Sequence, residues 1–431
     1  LTFADFCVCL DMIVEHLSFL WRDILWWWLK IFVGLPLRFI LRTRSEGKKP
    51  FPPPGQPAIL IGNHTNTLDP FILSLYIKRP ICLVVTDDDF RYKITRILLG
   101  WLKVIPTAKS TPDSVTMRML MRAVKQGQIV AVSPEGGRNW DGEVPPLDET
   151  IPRLVKKLRL PVICVKTRGA YLTWPRWTNR PRRGKIVLQF DYLFENPAEI
   201  PDHVAGIARM INEKLRYSEL EDPEITKHVF GHRNVAEHLE LRLWLCPHCR
   251  NFFVLESKGR CLYCRRCGAR WEFSGNGTFV LKKLGEPAAP EARNFKRYID
   301  WAHYNDAVTM PMLLDRKKKG RNPLVSLAAR MWSSSIQTRI DRRFKVPEEG
   351  TASLTPDFRM VFTRTEDNKI LIDTPLSEMN GANVVWNQKF EFFQPQVAYR
   401  LAFYGQSAYF WHFLTKKPGG MRPRIDGRQG V

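Results

Sequence analysis

Residues 58–77 read AILIGNHTNTLDPFILSLYI, and this stretch sets the expected fold. Ala58–Ile61 is a short apolar run of strand length. A polar turn follows, and Pro70–Ile77 has the composition of a helix that starts with proline in its first turn. The same unit recurs downstream. Ile81–Val85, Ile129–Val132, Pro161–Val165 and Lys185–Phe190 read as strands, while Phe90–Leu102, Pro112–Gln126 and Ile151–Leu158 read as helices between them. That alternation predicts an α/β fold, a mixed sheet covered by helices, over a linker and domain spanning 45–235.

The turn after the first strand carries His64 and Asp69, five residues apart. A regular helix would not place them on one side. A tight turn entering the helix near Pro70 would instead bring the carboxylate to one imidazole nitrogen. The ring would then be fixed in one tautomer, with its other nitrogen facing a substrate hydroxyl as general base. A structural turn with a satisfied histidine shares this spacing. The strand Ile129–Val132 leads into Ser133–Gly142, SPEGGRNWDG. Gly136 and Gly137 permit positive φ and close approach of an anion. Arg138 supplies a planar fork for phosphate oxygens. Glu135 would hold Arg138 or bond a hydroxyl, and a surface turn with an Arg–Glu pair is the plainer alternative.

Together these segments resemble the membrane-associated glycerophosphate and lysophospholipid acyltransferases, in the 1-acyl-glycerol-3-phosphate acyltransferase branch. His64 through Asp69 matches that family's histidine–four residues–aspartate motif, and Pro134 through Arg138 its proline–glutamate–glycine–threonine–arginine motif. Gly100–Lys109, GWLKVIPTAK, resembles the block that ends in a phosphate-contacting arginine, and Pro161-Val162-Ile163 the final strand block. The resemblance covers roughly residues 55–215. It implies transfer of a fatty acyl group from acyl-CoA or acyl carrier protein to the free hydroxyl of 1-acyl-glycerol 3-phosphate. His64 and Asp69 would be catalytic, and Arg138, Lys109, Gly136 and Gly137 would bind the phosphate, with Glu135 and Asn66 in support. Asn66 stands where serine is frequent, Gly137 where threonine is usual, and Lys109 where arginine is usual. Leu147–Thr150 replaces a block that normally carries a lysine. These departures bear on the acceptor, so acylation of glycerol 3-phosphate or another lysolipid remains an alternative, as does a noncatalytic zinc-containing adaptor that binds lipid or nucleic acid.

Outward from this domain, the 431 residues carry a formal charge of +23, which calls for an anionic partner such as a phospholipid surface or nucleic acid. No uncharged apolar run reaches the ~18 residues of a simple membrane span. Residues 1–44 are rich in tryptophan, including Trp21 and Trp26–Trp28, with Asp11, Glu15, Ser18 and Arg22 at helical spacing as a narrow polar stripe. This reads as an interfacial helix on the cytoplasmic face of an anionic phospholipid membrane, bent or ended at Gly34 and Pro36. A short tilted span and a helix covering the protein's own core are the other readings. Between residues 165 and 185, Tyr171, Trp174 and Trp177 interleave with basic residues, which predicts a second membrane or acyl-donor surface. Lipid and acyl donor, rather than nucleic acid, are the expected partners.

Five of nine cysteines lie between Cys246 and Cys267. Cys246/Cys249 and Cys264/Cys267 form two CxxC knuckles separated by 14 residues, the pattern of a structural Zn²⁺ ribbon over 238–282. Cys261 also starts a CxxC with Cys264. Arg265, Arg266 and Arg270 leave nucleic acid open for the ribbon alone. Residues 283–344 read as a helical or irregular connector, 345–417 as a small β-rich domain, and 418–431 as a mobile tail.

Overall fold

The structure is a computed structural model that describes residues 20–47, 51–86, 90, 93–107, 114–147, 149–231, 233–335 and 344–416. Asp11, Glu15 and Ser18, the acidic block member Asp148, the phosphate-site candidate Lys109 and the tail 418–431 lie outside them. The chain divides into two compact units, one of residues 1–235 with 273–278, the other of residues 236–272 with 279–431.

The first unit holds a seven-stranded sheet. Its strands are β1 (Thr43–Glu46), β2 (Ala58–Gly62), β3 (Ile81–Thr86), β4 (Ile105–Thr107), β5 (Ile129–Val132), β6 (Val162–Arg168) and β7 (Ile186–Phe194), in the order β1-β7-β6-β2-β5-β3-β4. All neighbours are parallel except β6 and β7, so β1 and β7 run against the rest and the sheet is mixed. The helices are α1 (residues 20–40), α2 (Asp69–Ser74), α3 (Lys93–Trp101), α4 (Ser114–Lys125), α5 (Thr150–Leu158), α6 (Ala170–Thr173), α7 (Val204–Leu215) and α8 (Pro223–Thr226).

Strand periodicity divides the core. Ile59, Ile61, Val130, Val132 and Cys164 face one side with Leu120, Leu154, Val155, Ile207 and Ile211. Their chain neighbours Ala58, Leu60, Ile129, Ala131, Ile163 and Val165 face the other with Trp26, Ile72 and Tyr76. Because both faces are covered, β2 and β5 are buried along their whole length, which explains why they read as continuous apolar runs. β1 and β4, short and at the sheet edges, carry no such run and escape sequence reading.

Gly34 and Pro36 do not end α1. The helix passes through a π turn at Lys30–Gly34 and resumes at Leu35–Ile40, with Pro36 in a first turn where its missing N–H costs little. Gly34 is needed for packing, since a Cβ there would lie 2.7 Å from Leu75 Cδ2. Arg22, expected on a polar surface stripe, is buried instead and bonds Asp23 and Gln128. Trp26 also turns inward, while Trp21, Trp27, Trp28, Phe32, Phe39 and Ile40 are exposed. No helix among the described residues is long and apolar enough to cross a membrane.

The aromatic and basic stretch 165–185 is largely interior, which corrects the surface expected there. Tyr171 and Trp177 are each 1% exposed, and Tyr171 Oη donates to the Trp140 carbonyl at 2.8 Å. Arg182 is buried over the Trp177 ring at 4.8 Å. Arg168 is tied to Asp222 through Nε at 2.7 Å and Nη2 at 3.0 Å. Cations stacked on rings are internal packing here. Phe273, on the returning segment 273–278, meets Trp177 edge-on with ring centroids 6.0 Å apart.

The second unit has a four-stranded sheet of β8 (Leu255–Lys258), β9 (Cys261–Cys264), β10 (Arg270–Phe273) and β11 (Phe279–Lys283). After helix α9 (Tyr298–Lys318) comes a seven-stranded antiparallel sheet. Its strands are β12 (Val325–Ser335), β13 (Glu348–Leu354), β14 (Arg359–Arg364), β15 (Ile370–Pro375), β16 (Asn380–Val385), β17 (Lys389–Phe393) and β18 (Val397–Phe403), ordered β15-β14-β13-β12-β18-β17-β16. Helix α10 (Ala408–Thr415) follows. β12 lies at the centre of that sheet although residues 283–344 read as connector; its inward Val325, Leu327, Ala329 and Met331 alternate with exposed residues.

Candidate active site and cysteine cluster

β2 and β5 are adjacent and parallel, so the loops that follow them leave the sheet at the same edge. Two hydrogen bonds join these loops. The His64 main-chain N–H donates to Glu135 Oε1 at 2.8 Å, and the Asn139 N–H donates to the His64 carbonyl at 3.2 Å. The two sequence motifs therefore form one constellation.

Within it, His64 Nδ1 lies 2.9 Å from Asp69 Oδ2. Asp69 opens α2, and the same Oδ2 accepts from the N–H groups of Thr65 at 2.9 Å and Asn66 at 3.1 Å. The turn between the two residues thus folds around the carboxylate, which cannot swing away without losing three donors. With Nδ1–H held by Asp69, Nε2 is the nitrogen left to accept a proton. It has no hydrogen bond among the described residues, and the His64 side chain is 29% exposed.

Asn66 is fully buried. Its Oδ1 accepts from Leu68 N–H at 2.7 Å and its Nδ2 donates to the Ala170 carbonyl at 3.0 Å, so it braces the turn against α6. Asn63 performs a similar task that sequence reading missed, exchanging two bonds with the main chain of Thr167 at the end of β6. Of the two roles read for Glu135, holding Arg138 or bonding a hydroxyl, the first is not seen among the described residues. Besides its bond to His64, its Oε2 accepts from Asn139 Nδ2 at 3.3 Å. Burial pushes the Glu135 carboxyl up to about 8, against the lowering effect of those two bonds.

Gly136 takes φ of +64°, and a side chain at Gly136 or Gly137 would meet no atom within 4 Å. The loop therefore presents open backbone. Arg138 is half-buried on it, adjacent to the Asn139 that is bonded to His64, and its carbonyl accepts from Arg176 Nη1. The Arg176 guanidinium lies over the Trp140 ring at 4.8 Å, which fixes this flank.

Glu219, a second buried carboxyl, was also missed. It accepts from the N–H groups of Tyr171 at 3.2 Å and Leu172 at 2.6 Å, and burial pushes it up to about 8. These bonds satisfy the N–H groups of α6, the helix on which Asn66 rests.

In the second unit the Sγ atoms of Cys246, Cys249, Cys264 and Cys267 lie within 4.8 Å of one another. Cys246 and Cys267 are 3.9 Å apart, Cys249 and Cys264 3.7 Å. Four thiolates at 2.3 Å from a tetrahedral zinc would be about 3.8 Å apart, so the donor set fits that ion. Gly268 takes φ of +73° at the second knuckle, and Gly285 leaves room for Cys267, whose Sγ would be 2.5 Å from a Cβ there. Cys261 stands outside the cluster, with Arg270 Nη2 at 3.2 Å from its Sγ.

No curated protein sequence matches the chain. Among solved structures, the 1-acyl-sn-glycerophosphate (LPA) acyltransferase PlsC from Thermotoga maritima is similar at 19% identity, covering 48% of this chain and 90% of that one, with a TM-score of 0.38. The acyltransferase family model matches residues 42–168, which span β1 to the end of β6 and contain both loops of the constellation. The chain carries an acyltransferase-family domain.

Proposed function

We propose that the first unit transfers a fatty acyl group from acyl-CoA or acyl carrier protein to the free hydroxyl of 1-acyl-glycerol 3-phosphate. The observation that carries this is the 2.9 Å contact of His64 Nδ1 with Asp69 Oδ2, stapled to the Arg138 loop. His64 Nε2 removes the acceptor hydroxyl proton while the oxygen attacks the thioester carbonyl; the C–S bond then breaks and the CoA or carrier-protein thiol leaves, taking that proton from the imidazolium. Asp69 orients the imidazole and stabilises its cation as that proton arrives. Arg138 and the open backbone of Gly136 and Gly137 hold the acceptor phosphate. Lys109 is proposed as a second phosphate ligand on the sequence resemblance alone.

The four cysteines are proposed to hold structural Zn²⁺. Four thiolates complete a tetrahedral shell and leave no position for substrate, so the metal would stabilise the second unit and take no part in acyl transfer. The exposed rings of α1 support a peripheral position on the cytoplasmic face of a membrane.

Purified protein incubated with labelled acyl thioester and a panel of acceptors tests the reading. Esterification of 1-acyl-glycerol 3-phosphate that disappears in His64→Ala supports it. Activity undiminished in His64→Ala rejects the proposed base, and transfer only to glycerol 3-phosphate or another lysolipid reassigns the acceptor.

A further inference from the structure

The edge of the sheet that carries His64 extends to a second charged feature. β7 is antiparallel to β6, with Val187 opposite Arg168, and Thr43 of β1 pairs with Ile186. The starts of β1 and β7 therefore lie at the same edge as the ends of β2, β5 and β6. Lys185 and Arg42, which immediately precede those starts, are two and three strands from β2, about 10 and 14 Å across the sheet.

There Arg42, Gly184, Lys185, Lys227, His228 and Val229 line a cavity of about 460 Å³. Lys185 Nζ lies 3.0 Å from His228 Nε2, its sole side-chain partner among the described residues. Arg42 makes no ion pair among the described residues. The nearby acids are already engaged, Glu224 with Lys227 at 2.6 Å and Glu46 with Arg44 at 2.5 Å and Arg168 at 3.8 Å. Burial, Arg44 and Lys227 hold the Lys185 ammonium below its ordinary range, outweighing the opposing pull of Glu46 and Glu224. The flanks are apolar and open to solvent. Val229 is 85% exposed, and Phe39 and Ile40, just before Arg42, are 77% and 55% exposed.

We propose that this cavity seats the phosphate headgroup of an anionic phospholipid in a bilayer, with Val229, Phe39 and Ile40 entering the border of the acyl region. Cations that meet phosphate beside exposed apolar side chains are the composition a bilayer border selects. The proposal deepens the acyl-transfer reading by naming the lipid surface toward which its edge of the sheet is turned.

Full-length protein is sedimented with vesicles of phosphatidylcholine alone or mixed with phosphatidylglycerol, without acyl donor or acceptor. Wild type is expected to prefer the anionic vesicles. Arg42→Gln with Lys185→Gln should weaken that partitioning about fivefold per cation removed, and Arg42→Lys with Lys185→Arg should restore it. Val229→Asp should weaken binding as well. Thermal unfolding confirms that each variant is folded. Equal binding of wild type and the Gln variant, or no preference for anionic vesicles, overturns the proposal. So does binding of inorganic phosphate by wild type at constant ionic strength without any preference for anionic vesicles, because the cavity would then serve a free anion. His64→Ala should bind vesicles as wild type does, so a failed acyl-transfer reading leaves this measurement intact.

Discussion

The main-chain N–H of His64 donates to Glu135 Oε1 at 2.8 Å, although the two residues are 71 positions apart. The Asn139 N–H returns a bond to the His64 carbonyl, so the two loops hold each other. A histidine supported at both its main-chain groups keeps its ring placed while the side chain stays 29% exposed.

Asp69→Asn should lower the rate of acyl transfer by about 10²–10⁴-fold with a small change in KM. The amide preserves shape, but it loses the charge that stabilises the imidazolium and disturbs the acceptor shared by His64, Thr65 and Asn66. Steady-state kinetics alongside a melting curve check this. Near-normal kcat in a folded variant would remove Asp69 from the mechanism.

Arg138→Ala should raise KM for a phosphorylated acceptor by about 10–100-fold, the span expected for losing a charge-assisted hydrogen bond. Arg138→Lys should recover part of that loss, since the charge remains and the fork does not. The comparison requires a matched acceptor without phosphate, for which both variants should resemble wild type.

Glu135 gives a pH signature. Its folded carboxyl titrates at about 8 against an ordinary 4.5, so the folded state retains a proton that the unfolded chain has released. That contribution to stability is fully present below about 4.5 and is lost as pH rises through about 8. Glu135→Gln should therefore show a shallower fall of Tm than wild type between these pH values. Parallel Tm–pH curves would contradict the buried neutral carboxyl.

Purified protein should contain one zinc per chain by elemental analysis. Cys246→Ser or Cys264→Ser should reduce metal content and Tm, whereas Cys261→Ser should change neither, because its Sγ lies outside the four-sulfur cluster. Full metal retention in Cys246→Ser would require a different ligand set.

The legible parts of this molecule are those written locally. β2 and β5 are buried on both faces and so appear as apolar runs, and the turn from His64 to Asp69 closes within six residues. The cysteine knuckles are equally local. Glu135 was readable as part of a motif, but its partner was not, since that partner is supplied by the pairing of β2 with β5. The same limit explains Arg22, Tyr171 and Trp177. Sequence shows an amphipathic surface in such residues, while the folded chain uses guanidinium and ring together as interior packing. β12 was hidden for a related reason: small alternating residues between basic segments become a central strand only when β13 and β18 flank it.

The return of residues 273–278 to the first unit has a practical consequence for dissecting the gene. A stop codon after Val235 would not release a smaller finished enzyme. It would delete Phe273 from against Trp177 and leave that indole, along with the Arg182 stacked on it, without its cover. Trimmed versions should be sticky and short-lived unless the missing hexapeptide is supplied through a grafted linker.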